Sequence, residues 1–444
     1  MENTTRLRKW PPKRTAFMAL MIAFGSSFSF GFQLLITNPA QGAFIKFLNA
    51  SKHSNNPDDN VLSHLENEWS FIVAIFFLGS ATGAFLIRTV AENPAYCRGV
   101  SSLINGVLLQ FSLFIGAIMA MPRVLGSEDH WWYLYLFQLL INTTVLLVLP
   151  MVHESPSYLA SQEVKHHDEF KSKITASVKY YHEISELEAE RIAETLIMTH
   201  QISRSQESIV SVWKTPFNRR GTLLGMMVTF AMAMSGITVI NAFAFEILMN
   251  VGMKQDTAAI SNAAICFFSF AGILVSTKII DHFGRRPLLI STFGCLTLVN
   301  VAIISLMYAF EETQNQIVSY LLISAICLFN FLFAMGPGPL SMFITGELVP
   351  QTCRSASSVW TNAVMAIVRF LTLTFYLPVK NETSEFMAYA IFFIVPMVTP
   401  FFDNPYNQFQ VVAVLVLFFL LPETKGRNVE EIREEYERKA LLQN

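Results

Sequence analysis

Residues 281–286 read DHFGRR, and this charged loop separates two apolar runs at 257–280 and 287–309. A helix needs about 20 apolar residues to cross the hydrocarbon core of a bilayer, and both runs meet that length. The sequence therefore predicts two neighbouring transmembrane helices that are joined by a short charged loop.

Further apolar runs extend outward from this pair in both directions. The other runs of spanning length are 15–37, 70–91, 100–121, 132–152, 221–245, 316–346, 356–378 and 386–421. Only 14% of the residues are charged and 52% are hydrophobic, whereas soluble domains carry about 25% charged residues. The predicted fold class is all-α membrane, with about ten transmembrane helices, four before a polar segment and six after it.

Basic residues predict the orientation of these helices. Lysine and arginine concentrate in loops that share one side if the spans alternate: residues 6–14, the segment 153–218, the pair Arg285 and Arg286, and the tail from Lys425. Because basic loops remain in the cytosol, both termini are predicted to be cytosolic. The sequons at Asn49 and Asn381 then lie outside, where N-glycosylation occurs, and we expect a multi-pass protein of the plasma membrane.

These signals divide the chain into five parts. They are a cytosolic N-terminus at 1–14, an N-terminal helical bundle at 15–152, a cytosolic helical loop at 153–218, a C-terminal helical bundle at 219–421 and a cytosolic tail at 422–444. Within the cytosolic loop, Ser177–Met198 has the pattern of an amphipathic helix. We expect that helix to cap the bundle.

Several function classes find no support in the residues. The five cysteines lack metal-ligand spacing, and no disulfide framework is implied. There is no nucleophile–base pair and no phosphate-binding loop, so we expect neither an enzyme nor a cofactor or metal site. The net charge of −2 gives no indication of a nucleic-acid partner. The expected partners are a small solute and the lipid bilayer.

An internal repeat relates the two halves of the chain. PAYCR at 94–98 returns as PQTCR at 350–354, and ESP at 154–156 corresponds to PETKGR at 422–427. Two similar halves around a large central loop are typical of a two-bundle transporter.

The spacing within the repeat indicates that the first half is shorter. Gly31 precedes Arg98 by 67 residues, whereas Gly236 precedes Arg354 by 118. The difference of 51 residues corresponds to two membrane spans. Losing two spans leaves the orientation of every later helix unchanged.

These motifs resemble the sugar porter family of the major facilitator superfamily, and in particular the facilitative glucose transporters. The similar stretches, in chain order, are FGF at 30–32, NPAQ at 38–41, WS at 69–70, RG at 98–99, HESPS at 153–157, DHFGRR at 281–286, GPGP at 336–339, GEL at 346–348 and PETKGR at 422–427. The resemblance implies a carrier in which two bundles rock around a central site.

The sequence also departs from the family pattern. The first half lacks the part that corresponds to the third and most of the fourth helix, and the junction left by this gap falls near 91–94. The seventh-helix motif of the family appears here as MAMSGIT at 232–238, without its glutamines and asparagine. An unpaired buried polar group costs roughly 1–3 kcal/mol, so the resemblance carries over the scaffold and not glucose recognition.

Charged residues at the inner ends of the spans form the first candidate constellation. They are Arg98, Glu154, Asp281, Arg285, Arg286, Glu347, Arg354, Glu423 and Arg427. The resemblance implies a cytosolic gate in which these groups pair across the two bundles. The alternative is a set of solvated charges that only follow the orientation rule.

Polar residues inside the spans form the second candidate constellation, a substrate site. They are Gln33, Asn38, Gln110, Ser235, Thr238, Asn241, Ser269 and Arg369. Interhelical hydrogen bonding accounts for many such residues. Arg369 lies in mid-span, where a charge is costly and usually faces a cavity or a partner. The run Gly336, Pro337, Gly338 and Pro339 predicts a helix break, because proline removes a backbone donor.

The resulting hypothesis is facilitated transport of a hexose-like or other small solute by alternating access, with activity that the missing helices impair. Two alternatives remain open at this point. One is a non-transporting membrane protein, a sensor or a truncated isoform. The other is a carrier of a small organic anion that uses Arg369.

Overall fold

A computed structural model gives the fold as all-helical over the residues it describes. These are 13–52, 59–90, 98–127, 129–148, 154, 156–161, 167–202, 209–350, 352–393, 421–422, 431 and 433–434. The helices are α1 (Lys13–Ala23), α2 (Ser29–Lys52), α3 (Asp59–Val90), α4 (Arg98–Met119), α5 (Trp132–Val148), α6 (Pro156–Ser161), α7 (His167–His182), α8 (Glu186–Ile202), α9 (Pro216–Ala233), α10 (Ile237–Asn250), α11 (Gln255–Phe283), α12 (Arg285–Thr313), α13 (Gln316–Met335), α14 (Pro337–Leu348), α15 (Arg354–Glu382) and α16 (Glu385–Phe393).

Most of the predicted spans coincide with these helices. Among the described residues, five helical segments are long and apolar enough to cross a membrane: Pro216–Asn250, Gln255–Ile280, Arg285–Thr313, Gln316–Leu348 and Arg354–Glu382. Shorter apolar segments lie at Leu20–Ile36, Asn67–Ser80, Gly106–Met119 and Trp132–Val148, and each overlaps one of the four spans predicted for the first half. Of the last predicted span, 386–421, most lies outside the described residues.

Three helices of the first half pack against three of the second. The pairs are α3 with α15, α4 with α11 and α2 with α10. One apolar core continues across these pairs, from Leu35 and Phe77 in the first half to Phe243 and Leu373 in the second. We call this contact the seam.

Contacts between helix ends agree with alternating spans. Arg123, after α4, binds Asp256 at the start of α11 at 2.6 Å. At the opposite ends, Asn218 of α9 donates to Sγ of Cys353, just before α15, at 3.0 Å. We call the face where α2 and α15 end the outer face, and the face where they begin the inner face.

The predicted amphipathic helix at 177–198 is wrong in its bounds, because the structure has two helices there. The chain reverses between α7 and α8 at Glu183, whose φ of 51° ends the first helix. Folding back lets Ile174 and Val178 pack against Ala189 and Ala193. Two short amphipathic helices can bury their apolar stripes against each other, whereas one long helix would leave its stripe exposed.

Three spans are interrupted within the bundle. The first contains a π-helical turn at Phe24–Phe28 between α1 and α2. The fifth breaks at Gly236, which has φ 103° and separates α9 from α10. The span at 316–346 breaks at Gly336, between α13 and α14, where Pro337 begins the second piece.

Gly31 allows α2 to approach α4 closely. A Cβ atom at Gly31 would lie 2.6 Å from the backbone oxygen of Leu109 and 2.1 Å from Oγ of Ser112. The backbone oxygen belongs to a helix and cannot move aside without shifting α4.

We predict that Gly31→Ala lowers the stability of the protein by about 1–3 kcal/mol, the usual cost of overpacking. Gly79→Ala is the matched control, because a Cβ at Gly79 would meet no atom within 4 Å and alanine favours a helix. Thermal unfolding in detergent micelles measures both. Equal midpoints for the two variants would contradict the close approach.

Candidate transport site

Inside the bundle, buried polar contacts bridge the seam. Ser269 of α11 donates to Oε1 of Gln110 in α4 at 2.8 Å, and both side chains are buried. Ser70 of α3 donates its hydroxyl to the backbone oxygen of Leu373 in α15. The structure thus brings together Gln110 and Ser269, two of the predicted site residues, and uses them to join the halves.

A cavity of about 310 Å³ lies beside the seam in the first half. Its wall is mostly aromatic and comprises Gln33, Leu34, Phe44, Trp69, Ile72, Val73, Phe76, Phe77, Trp131 and Tyr135. Phe44 lies 4.7 Å from Trp69 and 5.7 Å from Trp131 between ring centroids. Apolar walls with a few polar groups are typical of small-molecule sites.

Gln33 gives the cavity an amide. Its side chain is half-buried in α2 and forms no hydrogen bond with the part of the chain that the structure describes. The amide is therefore free to donate to and accept from a solute hydroxyl. Asn38, one turn further along α2, has no described side chain.

Arg369 lies halfway along α15 and is 8% exposed. Its guanidinium carbon is 5.6 Å from the centre of the Phe77 ring in α3, across the seam. Nε has no hydrogen-bond partner among the described residues. Placing arginine at the centre of a transmembrane helix costs about 2.5–3.5 kcal/mol of free energy, so a charge at this position destabilises the inserted helix unless something offsets it.

The break at Gly236 is held by a hydrogen-bonded chain. Asn300 of α12 donates from Nδ2 to the backbone oxygen of Ser235 at 2.9 Å. Tyr389 of α16 donates its hydroxyl to Oδ1 of Asn300 at 3.0 Å. A Cβ at Gly236 would lie 2.7 Å from that hydroxyl. Asn300 and Tyr389 were not predicted, although a buried asparagine in an apolar span is a visible signal.

Two of the other predicted residues bond to their own helix ends. The Ser235 hydroxyl donates to the backbone oxygen of Met232 at 2.7 Å. The Thr238 hydroxyl donates to the backbone oxygen of Ala233 at 3.3 Å. Both therefore stabilise the interruption between α9 and α10. Asn241, one turn into α10, also interacts with other residues of the chain.

The break at Gly336 lies against α12. A Cβ at Gly336 would lie 2.2 Å from the hydroxyl oxygen of Thr292, so the two backbones approach closely there. Gly338 faces Phe333, with a Cβ contact of 3.1 Å to its ring. Pro339 lies one residue later, within the first turn of α14.

Among the inner-face charges, the structure pairs Arg285 with Glu347. Nε of Arg285 is 3.4 Å from Oε1 of Glu347, which joins the start of α12 to the end of α14 within the second half. Arg286 and Arg354 also interact with other residues of the chain.

The structure gives less for the other predicted gate residues. Glu154 is exposed, and its backbone oxygen accepts from Ser177 at 2.5 Å. The side chains of Arg98 and Asp281, and residues Glu423 and Arg427, lie outside the described part.

A charged cluster at the outer face ties α10 to α15 and α16. Lys380 forms an ion pair with Glu246, and Nδ2 of Asn250 donates to Oε2 of Glu385 at 2.9 Å. Burial raises the pKa of Glu385 to about 7, although Lys380 and the hydrogen bond from Asn250 oppose this.

A family model described as sugar (and other) transporter matches residues 89–436, more than three quarters of the chain. The chain belongs to the sugar (and other) transporter family. It is therefore an integral, multi-pass membrane protein and a transporter of the sugar porter type, as the motifs predicted.

Two similar transporters show how low the sequence identity to this chain is. Facilitated glucose transporter member 3 of Ovis aries is 24% identical over 489 residues, covering 94% of this chain and 92% of the relative. Facilitated glucose transporter member 9 of Mus musculus is 21% identical over 500 residues, covering 99% and 88%. Both aligned lengths exceed the 444 residues of this transporter, so each relative has residues without a counterpart here. The junction at 91–94, where the sequence lacks the residues of two helices, lies outside the described residues.

Solved structures confirm the predicted major facilitator fold. The xylose transporter XylE from E. coli in an inward-open conformation superposes with a TM-score of 0.64 at 16% identity, covering 95% of this chain and 99% of that one. The proton:xylose symporter XylE bound to 6-bromo-6-deoxy-D-glucose gives 0.62 at 16% identity, with coverages of 96% and 99%.

We predict that Ser269→Ala destabilises this transporter by about 0.5–1.5 kcal/mol, because it removes a buried hydrogen bond across the seam. Ser324→Ala is the control, since that hydroxyl is exposed and bonds only to the oxygen of Tyr320 in its own helix. Unfolding midpoints measure the difference. An equal loss in the two variants would show that the bond across the seam contributes nothing.

A pH dependence of stability follows from Glu385. The folded chain keeps this carboxyl protonated up to about pH 7, whereas its ordinary pKa is 4.5. Its contribution is therefore fully present below about pH 4.5 and is lost as the pH rises through about 7. The thermal unfolding midpoint of the natural chain should fall between pH 5 and pH 8, and Glu385→Gln should make this fall smaller. Exposed Glu312→Gln is the control, and an unchanged profile for Glu385→Gln would contradict the assignment.

Proposed function

We propose that this transporter carries a hexose-like or other small solute across the plasma membrane by alternating access. The observation that carries the proposal is the aromatic cavity beside the seam, with the unbonded amide of Gln33 in its wall. Aromatic rings suit the apolar face of a sugar, and an amide suits its hydroxyl groups. The facilitated glucose transporters among the relatives support this class of substrate.

The architecture supports rocking of one half against the other. We infer that the bundles at 15–152 and 219–421 move as the two bodies, with the cytosolic segment 153–218 and the termini at 1–14 and 422–444 on the inner face. The interruptions at Gly236 and Gly336 supply positions at which helices bend. Rigid bodies joined by a packed seam and a few bending points can exchange two discrete arrangements.

We propose that the inner-face charges act as the gate. Arg285 and Glu347 pair within the second half, so this ion pair belongs to one moving body. The gate requires other inner-face charges to pair between the two bundles in one state and to separate in another. The remaining proposed members are Arg98, Glu154, Asp281, Arg286, Arg354, Glu423 and Arg427. Glycosylation at Asn49 and Asn381, which lie near the outer ends of α2 and α15, is proposed as well.

The transport assay uses the purified full chain in proteoliposomes. We predict saturable entry of radiolabelled glucose above that into protein-free vesicles. Gln33→Leu should lower uptake at limiting glucose by about 2- to 13-fold, since one hydrogen bond contributes about 0.5–1.5 kcal/mol. Gln316→Leu, at an exposed position, should leave uptake unchanged.

Two results would oppose the hexose proposal. Glucose entry equal to that of protein-free vesicles would favour a different solute or a non-transporting protein. Glucose entry that is unaffected by Gln33→Leu would place the substrate elsewhere in the bundle.

A further inference from the structure

Three cations that are at least partly buried among the described residues differ in how they are neutralised. Lys380, two residues from the end of α15, forms an ion pair with Glu246. Arg285 at the inner face pairs with Glu347. Arg369, in the middle of the same helix as Lys380, forms no ion pair with the described residues. Its Nε has no hydrogen-bond partner among them, and the face of the Phe77 ring lies against its guanidinium.

An arginine that serves only to hold two helices together would bond to a carboxylate or a carbonyl oxygen. Hydrocarbon offers no water to satisfy its donors, so a permanent positive charge at this depth normally faces a partner or a cavity. The aromatic ring attracts the cation from one side. The ring has no acceptor atom for directed hydrogen bonds from the five N–H groups of the guanidinium, whereas an anion has several.

Arg369 does not itself line the cavity, and the ring of Phe77 lies next to both, so an anion in the cavity reaches the guanidinium when this ring turns aside. Phe77 contacts the guanidinium across the seam and also forms part of the cavity wall. The guanidinium is therefore one side chain away from a space of about 310 Å³. Trp69 and Trp131 contribute flat apolar surfaces to the same wall.

We propose that Arg369 binds the negative charge of a small organic anion whose body is aromatic, and that this anion is a substrate of the cavity. The inference rests on the proposed transport function, because it names a substrate class for the same site. A planar guanidinium binds a carboxylate or sulfonate through two parallel hydrogen bonds. The aromatic wall receives the flat, apolar remainder of the molecule.

Binding to the purified full chain tests this inference without requiring turnover. The probe is benzenesulfonate, which stays ionised at neutral pH, and its uncharged analogue benzenesulfonamide is the matched ligand. Isothermal titration calorimetry should give saturable binding of the sulfonate that is at least tenfold tighter than that of the sulfonamide. Quenching of tryptophan fluorescence should accompany it, because Trp69 and Trp131 line the cavity.

Variants then assign the charge to one residue. Arg369→Gln should weaken sulfonate binding at least tenfold and leave the weak sulfonamide binding unchanged. Arg369→Lys should retain part of the affinity, since lysine keeps the charge and lacks the planar fork. Arg191→Gln, at an exposed position in α8, should bind as the natural chain does. Gel filtration checks the folding of each variant.

Three outcomes would overturn the inference: no sulfonate binding to the natural chain, equal affinity for sulfonate and sulfonamide, or unchanged affinity in Arg369→Gln. The first two remain decisive even if Arg369→Gln does not fold. Glucose uptake without sulfonate binding would remove only this inference. Sulfonate binding without glucose uptake would support it and remove the hexose proposal.

Discussion

A helix that stops inside hydrocarbon leaves backbone groups without partners, and the bilayer supplies none. This constraint governs the interior of the second half. The span at 216–250 stops and restarts at Gly236, and the backbone oxygen of Ser235 is satisfied by Asn300, which Tyr389 holds in turn. Three helices therefore cooperate to keep one interruption in place. Without that chain, a straight helix would be the cheaper conformation.

The same cost explains where polar contacts occur along the seam. Gln110 and Ser269 satisfy each other, and the hydroxyl of Ser70 finds the backbone oxygen of Leu373. Most of the contact area is apolar packing, which has little directional preference. A largely apolar seam with a few satisfied polar groups can hold the halves together while permitting a second arrangement.

Charge is distributed differently at the faces and in the middle. At the outer face Lys380 pairs with Glu246, and at the inner face Arg285 pairs with Glu347, both near the ends of helices. In mid-membrane Arg369 has the ring of Phe77 beside it and no ion-pair partner among the described residues. Within the part of the chain that the structure describes, this cation is therefore left unneutralised at the depth where a charge is most costly, near a cavity wall. Such a cost is retained where a ligand offsets it.

The all-α class, the position of nearly every span and the transporter family could be predicted from the sequence alone. Long apolar runs and basic loops act locally, so they are readable without the fold. The sequence also indicated the break at Gly336 and singled out Arg369 as an unusual mid-span charge. The folded structure was needed to show that 153–218 contains a helical hairpin, that the span at 216–250 breaks at Gly236, and that Gln110 meets Ser269. It likewise decided that Gln33 shares an aromatic cavity with Trp69 and Trp131. Those pairings join residues far apart in the chain, and neither periodicity nor composition records which helix faces which.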